Sequence, residues 1–378
     1  MQAEFGNPIT AAMSRIAAIY HVRGDAASIE SRAVAIAVEQ SVEMPVSAID
    51  DSRVLEDIVG RVESIVESGG GVFEVRIALA TATTGLEPGQ LMNTLFGNTS
   101  IHSDVTLEDV VFPPDVLAAF GGPHHGLEGL RRRSGAEGRA MTCSALKPQG
   151  MPSEALADLA MRLALGGVDF IKDDHGLADQ AYSPFAERVR VCVRAVDKAN
   201  AATGGRSRYV PSLSGNLDRL RHQVHVAREE GIDMVLIAPM VVGLPAFHAL
   251  VCEFPDMANM AHPALAGAQR MASPLLLGKL FRLFGADATI FPNHGGRFGY
   301  SPETCRRLAE VARAPWGGLK ATVPVPAGGM TLDRVPEMLD FYGRDAMLLI
   351  GGGLLAAGEG LTEETAAFAQ LVARYPNG

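Results

Sequence analysis

The sequence predicts an α/β protein with a C-terminal (β/α)8 barrel and a smaller N-terminal α+β domain of the ferredoxin-like kind. Three observations predict it. From about Arg139 onward, short apolar runs alternate with amphipathic helical patterns, and eight such runs can be counted. Glycine-rich stretches follow the last two runs, where barrels of this kind bind phosphate. Upstream of Arg139 the strand and helix periods mix without regular alternation. At 378 residues the chain exceeds one ordinary core. Two domains are therefore expected, residues 1–125 and 126–378. An open doubly wound sheet is the competing architecture, and eight strands favour the barrel.

The N-terminal elements follow from periodicity. Residues 16–22 are apolar and strand-like, 26–40 carry apolar positions at helical spacing, and 71–80 alternate as a strand does. A further helix is expected over 90–96. The stretch Gly121-Gly122-Pro123-His124-His125-Gly126 has the composition of a linker. The barrel strands are expected at 141–147, 168–174, 209–213, 234–239, 264–268, 288–292, 321–326 and 346–350. Helical patterns fall at 152–165, 184–202, 217–230, 274–284, 302–312 and 362–373.

This architecture places the functional site at the C-terminal ends of the strands. Lys147 ends the first strand. The second ends in Lys172-Asp173-Asp174-His175, where a strand normally ends in turn residues. Asn293-His294-Gly295-Gly296-Arg297 follows the sixth, Gly328-Gly329 the seventh and Gly351-Gly352-Gly353 the eighth. His262 lies just before the fifth strand as expected at 264–268.

Side chains alternate along a strand, so Lys172 and Asp174 should share one face and point at a common centre. That centre is either a salt bridge or a metal site. As an ammonium, Lys172 would neutralise Asp173 and Asp174 in the barrel mouth. As a neutral amine, favoured by burial, it can add carbon dioxide and become a carbamate, an oxygen ligand that with Asp174 suits a hard divalent cation. The residues alone leave both readings open. Lys147 is a proton carrier, an anion holder, or a solvated lysine. Arg297, flanked by glycines, fits a lid that carries charge over a substrate, or an ordinary surface loop. The paired glycine runs let backbone N–H groups approach an anion, or simply form tight turns.

The net charge of −10 argues against nucleic acid and anionic membranes as partners. Cys143, Cys192, Cys252 and Cys305 are far apart and read as reduced thiols of a cytoplasmic protein. Met1-Gln2-Ala3-Glu4-Phe5 lacks the pattern of a signal peptide, and no apolar run approaches membrane-spanning length.

Gly166 to His175 resembles the GG-hydrophobic-DF-x-KDDE signature of the RuBisCO superfamily, and Leu146-Lys147-Pro148-Gln149 resembles its KPK segment. Gly97-Asn98 and the segment around Glu39 resemble the residues that the family's N-terminal domain lends to the active site. His262 and the two glycine runs match its strand-five histidine and its phosphate-binding stretches. The resemblance spans nearly the whole chain in order. It implies a divalent metal, Mg²⁺ or alternatively Mn²⁺, held by carbamylated Lys172, Asp174 and His175. It implies that Lys147 moves protons, that His262 and Arg297 hold charge on the substrate, and that Asn98, His294, Gly328, Gly329, Gly351 and Gly352 bind it. Glu39 and Asn98 would come from the second subunit of a homodimer with shared sites.

The departures argue against carbon dioxide fixation. His175 stands where carboxylating members have a glutamate, Gln149 replaces the second lysine of KPK, and Arg297 falls near the required mobile-loop lysine. Ala327 replaces a serine, and Ile290-Phe291-Pro292 lacks a histidine that His294 only approaches. The run Gln40 to Pro45 is not threonine-rich. The chain therefore resembles a RuBisCO-like protein that enolises a phosphorylated keto-sugar or sugar acid, as an isomerase, tautomerase or decarboxylase. An imidazole ligand suits Mn²⁺, Fe²⁺ or Zn²⁺ better than Mg²⁺. The contrasting expectation is a non-catalytic binding or regulatory protein on the same barrel.

Overall fold

A computed structural model describes residues 14–375; Met1–Phe5, read above for targeting, lies outside the described residues. The chain forms two compact units, Met1–Phe120 with Arg270–Ala272, and Gly121–Gln269 with Ser273–Gly378.

The first unit is built on an antiparallel sheet of β1 (Arg15–Arg23), β2 (Arg61–Gly69), β3 (Val72–Ala80) and β4 (Val105–Val111), in the order β2-β3-β1-β4. With helices Ile29–Glu39 and Pro88–Phe96 this is the βαββαβ arrangement of ferredoxin-like domains. The central strand β1 buries Ile16, Ala18, Tyr20 and Val22, which is why it was legible. Strands β2 and β4 were not anticipated. β2 is an exposed edge with little alternation, and β4 carries Glu108 and Asp109 and meets β1 across a register shift. Gly69, Gly70 and Gly71 all have positive φ and form the turn between β2 and β3, so Gly71 lies outside the strand assigned to it.

The second unit is a barrel of eight parallel strands: β5 (Met141–Leu146), β6 (Phe170–Asp173), β7 (Arg208–Val210), β8 (Met234–Ile237), β9 (Ala258–Ala261), β10 (Ala288–Pro292), β11 (Val323–Ala327) and β12 (Met347–Leu349). They form two four-stranded parallel ladders, β12-β5-β6-β7 and β8-β9-β10-β11. A parallel bridge between Ser212 and Leu236 links β7 to β8, and β11 packs beside β12. One strand differs from expectation. The fifth is Ala258–Ala261, and residues 264–268 form a loop with a single 3₁₀ turn. Both segments are short and alanine-rich, so local pattern could not separate them; pairing with β8 and β10 did.

The inward positions follow the two-residue period. Met141 and Cys143, Met234 and Leu236, Ala258 and Met260, Val323 and Val325, and Met347 and Leu349 fill the barrel. Helix Gly126–Ser134 contributes Leu127 and Leu130 to the same cluster. The expected linker is in fact pinned down, because Asp287 accepts hydrogen bonds from the backbone N–H groups of His125 and Gly126 at 2.7 Å and of Asn259 at 2.8 Å. Among the described residues no helix is long and apolar enough to cross a membrane.

Candidate active site in the barrel mouth

The same period carries chemistry to the top of the barrel. Phe170 is inward on β6, so Lys172 is inward too, and Asp174 continues the series past the strand end. On β5 the inward series Met141, Cys143, Ala145 delivers Lys147. Lys147, Lys172, Asp174, His175, His262, Arg297, Gly328, Gly329, Gly351, Gly352 and Gly353 line one cavity of about 750 Å³. Ten of the residues expected in the site thus come together in one unit.

Asp173 points the other way. Its carboxylate accepts from Arg188 Nε at 3.0 Å, Tyr209 Oη at 2.7 Å and the Ser212 N–H at 3.0 Å, with Arg188 and Asp173 fully buried. Arg188 also donates to the carbonyls of Ser183 and Ala178, both at 2.7 Å. The outward carboxylate is therefore neutralised from outside the barrel.

Inside, Lys147 Nζ donates to Asp174 Oδ1 at 2.5 Å, and His175 Nδ1 lies 3.4 Å from the same oxygen. Burial would raise the Asp174 pKa, but hydrogen bonds from His175 and Lys147 and the charges of both lysines hold it well below the usual carboxylate range. Of the two arrangements left open for Lys172 and Asp174, the direct salt bridge does not form. Lys172, 3 % exposed, donates only to the Asp173 backbone carbonyl at 2.9 Å. Burial, aided by the charge of Lys147, lowers its pKa despite the opposing pull of Cys143, Asp174 and Asp173.

His262 sits at the C-terminal end of β9, after the strand rather than before it. Its ring stacks on His175 with centroids 4.0 Å apart and planes 10° from parallel. Burial and the neighbouring charges of Lys172 and His175 push its pKa down to about 2, so the ring is neutral. Its Nδ1 accepts from the Ala264 N–H at 3.1 Å, which leaves the ring proton on Nε2.

The Arg297 loop rests on bare backbone. The Arg297 N–H donates to the Gly328 carbonyl at 3.1 Å. Gly328 and Gly329 have φ of 89° and 94°, and a Cβ on Gly329 would press on Arg297 Cγ at 3.3 Å. Gly353 packs against the Met330 carbonyl, where a Cβ would come within 2.8 Å, drawing the two glycine runs together.

Three expected residues lie outside this cavity's lining. His294 is 3.9 Å from Glu337 and packs on the Phe341 ring at 4.6 Å. Glu39 and Asn98 belong to the first unit, where Asn98 Nδ2 donates to Glu39 Oε1 at 2.9 Å and to Glu43. Buried Gln40 supports that pair by donating to the carbonyls of Asn93 and Thr94 and accepting from the Thr99 N–H.

The apolar lining was not foreseen: Leu265, Phe291, Phe298, Tyr300, Met330 and Leu349. Leu265 was assigned to a strand, which hid it. The correct placement of β9 turns Pro263 to Gly267 into a mouth loop.

For the metal implied by the motif, the donors present are the Asp174 carboxylate and the His175 imidazole. Among the described residues no three His, Cys, Asp or Glu side chains gather as a metal-ligating group. Lys172 would add a third oxygen donor if carbamylated, and its buried amine without a carboxylate partner fits that role.

Residues 126–373 match the family model for the ribulose bisphosphate carboxylase large chain, catalytic domain. The 5-methylthioribulose-1-phosphate isomerase of Rhodospirillum rubrum is 63 % identical over 360 residues, covering 95 % of this chain and 96 % of that one. The crystal structure of a RuBisCO-like protein from Rhodopseudomonas palustris superposes with a TM-score of 0.90 at 56 % identity, covering 96 % of this chain and 98 % of that one. A 2,3-diketo-5-methylthiopentyl-1-phosphate enolase of Bacillus pumilus is 32 % identical over 313 residues, covering 78 % and 76 % of the two chains. The motif of β6, the barrel and these likenesses agree: the chain belongs to the RuBisCO large-chain family, as one of its RuBisCO-like proteins.

Proposed function

We propose that this RuBisCO-like enzyme enolises a 1-phosphorylated keto-sugar and isomerises it, with 5-methylthioribulose 1-phosphate as the substrate to test first. The observation that carries the reading is Lys172: an inward, buried amine with no carboxylate partner, beside Asp174 and His175. A site without chemistry has no use for such a group. The named activity of the 63 % identical relative supports the isomerase over the enolase named for the 32 % identical one.

Lys172 as a carbamate, Asp174 and His175 would hold a divalent cation, Mg²⁺ or Mn²⁺. When bound, such a cation supplies Lewis acidity toward the substrate carbonyl. Gly328, Gly329, Gly351 and Gly352 offer backbone to the phosphate, with Arg297 beside them. Neutral His262 donates from Nε2 to the oxygen that gains charge as the enediol forms, since its Nδ1 is already occupied. Lys147 moves the proton. Its Nζ, which donates to Asp174 Oδ1 at 2.5 Å, is the lysine amine at the mouth placed for that transfer. Removal of a proton beside the carbonyl, and its return to a neighbouring carbon, isomerises the sugar with no atom gained or lost. Glu39 and Asn98 complete the site from a second copy of the chain.

The test is incubation with 5-methylthioribulose 1-phosphate in deuterated water, with Mg²⁺ and bicarbonate. An isomeric product carrying solvent deuterium is expected. Neither product nor exchange, across this and related keto-sugar phosphates, would sink the proposal.

A further inference from the structure

The cavity is chemically lopsided. Its cationic lining residues are Lys147, Lys172 and Arg297, with histidines His175 and His262. Lys147 is committed to Asp174, and Arg297 lies against Gly329. The loop after β9, Pro263-Ala264-Leu265-Ala266-Gly267, lines the same cavity and carries no charge.

Leu265 stands out within that loop. It is 60 % exposed and has φ of 63°, a left-handed conformation that leucine rarely adopts. The loop enforces it: the Ala266 N–H donates to the Pro263 carbonyl at 3.0 Å, and the Ala268 N–H to the Leu265 carbonyl at 3.1 Å. Phe298, equally exposed in the cavity, lies by contrast at the glycine run, where a Cβ on Gly328 would touch its ring at 3.1 Å. A large apolar side chain left in solvent at a cavity wall marks a surface for an apolar ligand group. A second phosphate on this side would lose its water and find no counter-charge in the loop.

We infer that Leu265 binds an uncharged alkyl or alkylthio tail at the end of the substrate remote from its phosphate, and that it sets the preference for that tail over a second phosphate. This rests on the reading of the substrate as a sugar 1-phosphate. It adds which residue reads the other end.

The test is calorimetric binding of three non-reacting sugar alcohols to the whole protein with Mg²⁺ and bicarbonate: a 5-methylthio-pentitol 1-phosphate, the plain pentitol 1-phosphate and the pentitol 1,5-bisphosphate. The wild-type protein should bind the methylthio compound roughly 10- to 30-fold more tightly than the plain one, the effect of burying one small apolar group. Leu265→Gly relieves the left-handed backbone and removes the side chain. It should narrow that ratio to about 3-fold or less while leaving affinity for the plain compound and the melting temperature unimpaired. Leu265→Lys should shift preference toward the bisphosphate. Equal wild-type affinity for the methylthio and plain compounds, an unchanged ratio in Leu265→Gly, or no binding of any of the three overturns the inference. Failure of the isomerase reading looks different: no turnover of the keto-sugar phosphate, with the differential binding intact.

Discussion

Lys147 and Asp174, at the ends of the neighbouring strands β5 and β6, are joined at 2.5 Å, and this contact leaves the buried Lys172 amine with a backbone carbonyl as its hydrogen-bond acceptor. Bicarbonate should therefore govern metal binding. Mn²⁺ affinity, followed by electron paramagnetic resonance, is expected to tighten by on the order of 10- to 100-fold on adding bicarbonate. Lys172→Met should bind weakly with or without it. Equal affinity in both conditions for the wild-type protein would reject the carbamate.

Arg188 and Asp173 form a fully buried pair behind the site. Arg188→Met strands the Asp173 carboxylate and frees the carbonyls of Ala178 and Ser183. A loss of about 3–5 kcal/mol in urea unfolding is expected. Asp173→Leu combined with Arg188→Met should recover part of it. A double variant no more stable than Arg188→Met would show that the stranded charge is not the cause.

His262 links stability to pH. Its folded pKa is depressed to about 2, below the ordinary value of 6.5. Below pH 6.5 the unfolded chain binds a proton that the folded chain refuses. Its contribution is thus intact above pH 6.5 and is lost as pH falls toward 2. The wild-type protein should lose up to about 1.4 kcal/mol per pH unit more than His262→Gln between pH 6 and 4.5. Parallel stability curves for the two proteins would contradict this.

Glu39→Gln and Lys172→Met should each be inactive alone. If a site draws on two copies, co-expressed variants should regain roughly a quarter of wild-type activity, because half of the dimers are mixed and each holds one intact site. Absence of any recovery in mixed dimers confirmed by mass would place Glu39 outside the partner's site.

The barrel was legible because β5, β8, β10 and β11 are apolar runs bounded by helical patterns, and burial on both faces leaves that mark in the residues. β9, Ala-Asn-Met-Ala, leaves none, so its place was read six residues late and Leu265 was hidden with it. β2 and β4 were invisible because an exposed edge strand and a bulged strand lack a clean two-residue period. Lys147, Lys172, Asp174 and His175 were legible because ionisable groups at strand ends are costly and rarely accidental.

The sequence by itself determined the strand–helix alternation of the barrel, the end of it that carries chemistry, and which face of β6 Lys172 and Asp174 take, since alternation is a local property of the backbone. Partner choice was decided by the tertiary structure. Asp173 found Arg188, fifteen positions on, and Asp174 found Lys147 from the neighbouring strand. Either carboxylate beside Lys172 could have held it as an ammonium, as its counter-charge. Packing gave them other cations and left Lys172 buried at the cavity wall, where burial disfavours its charged form.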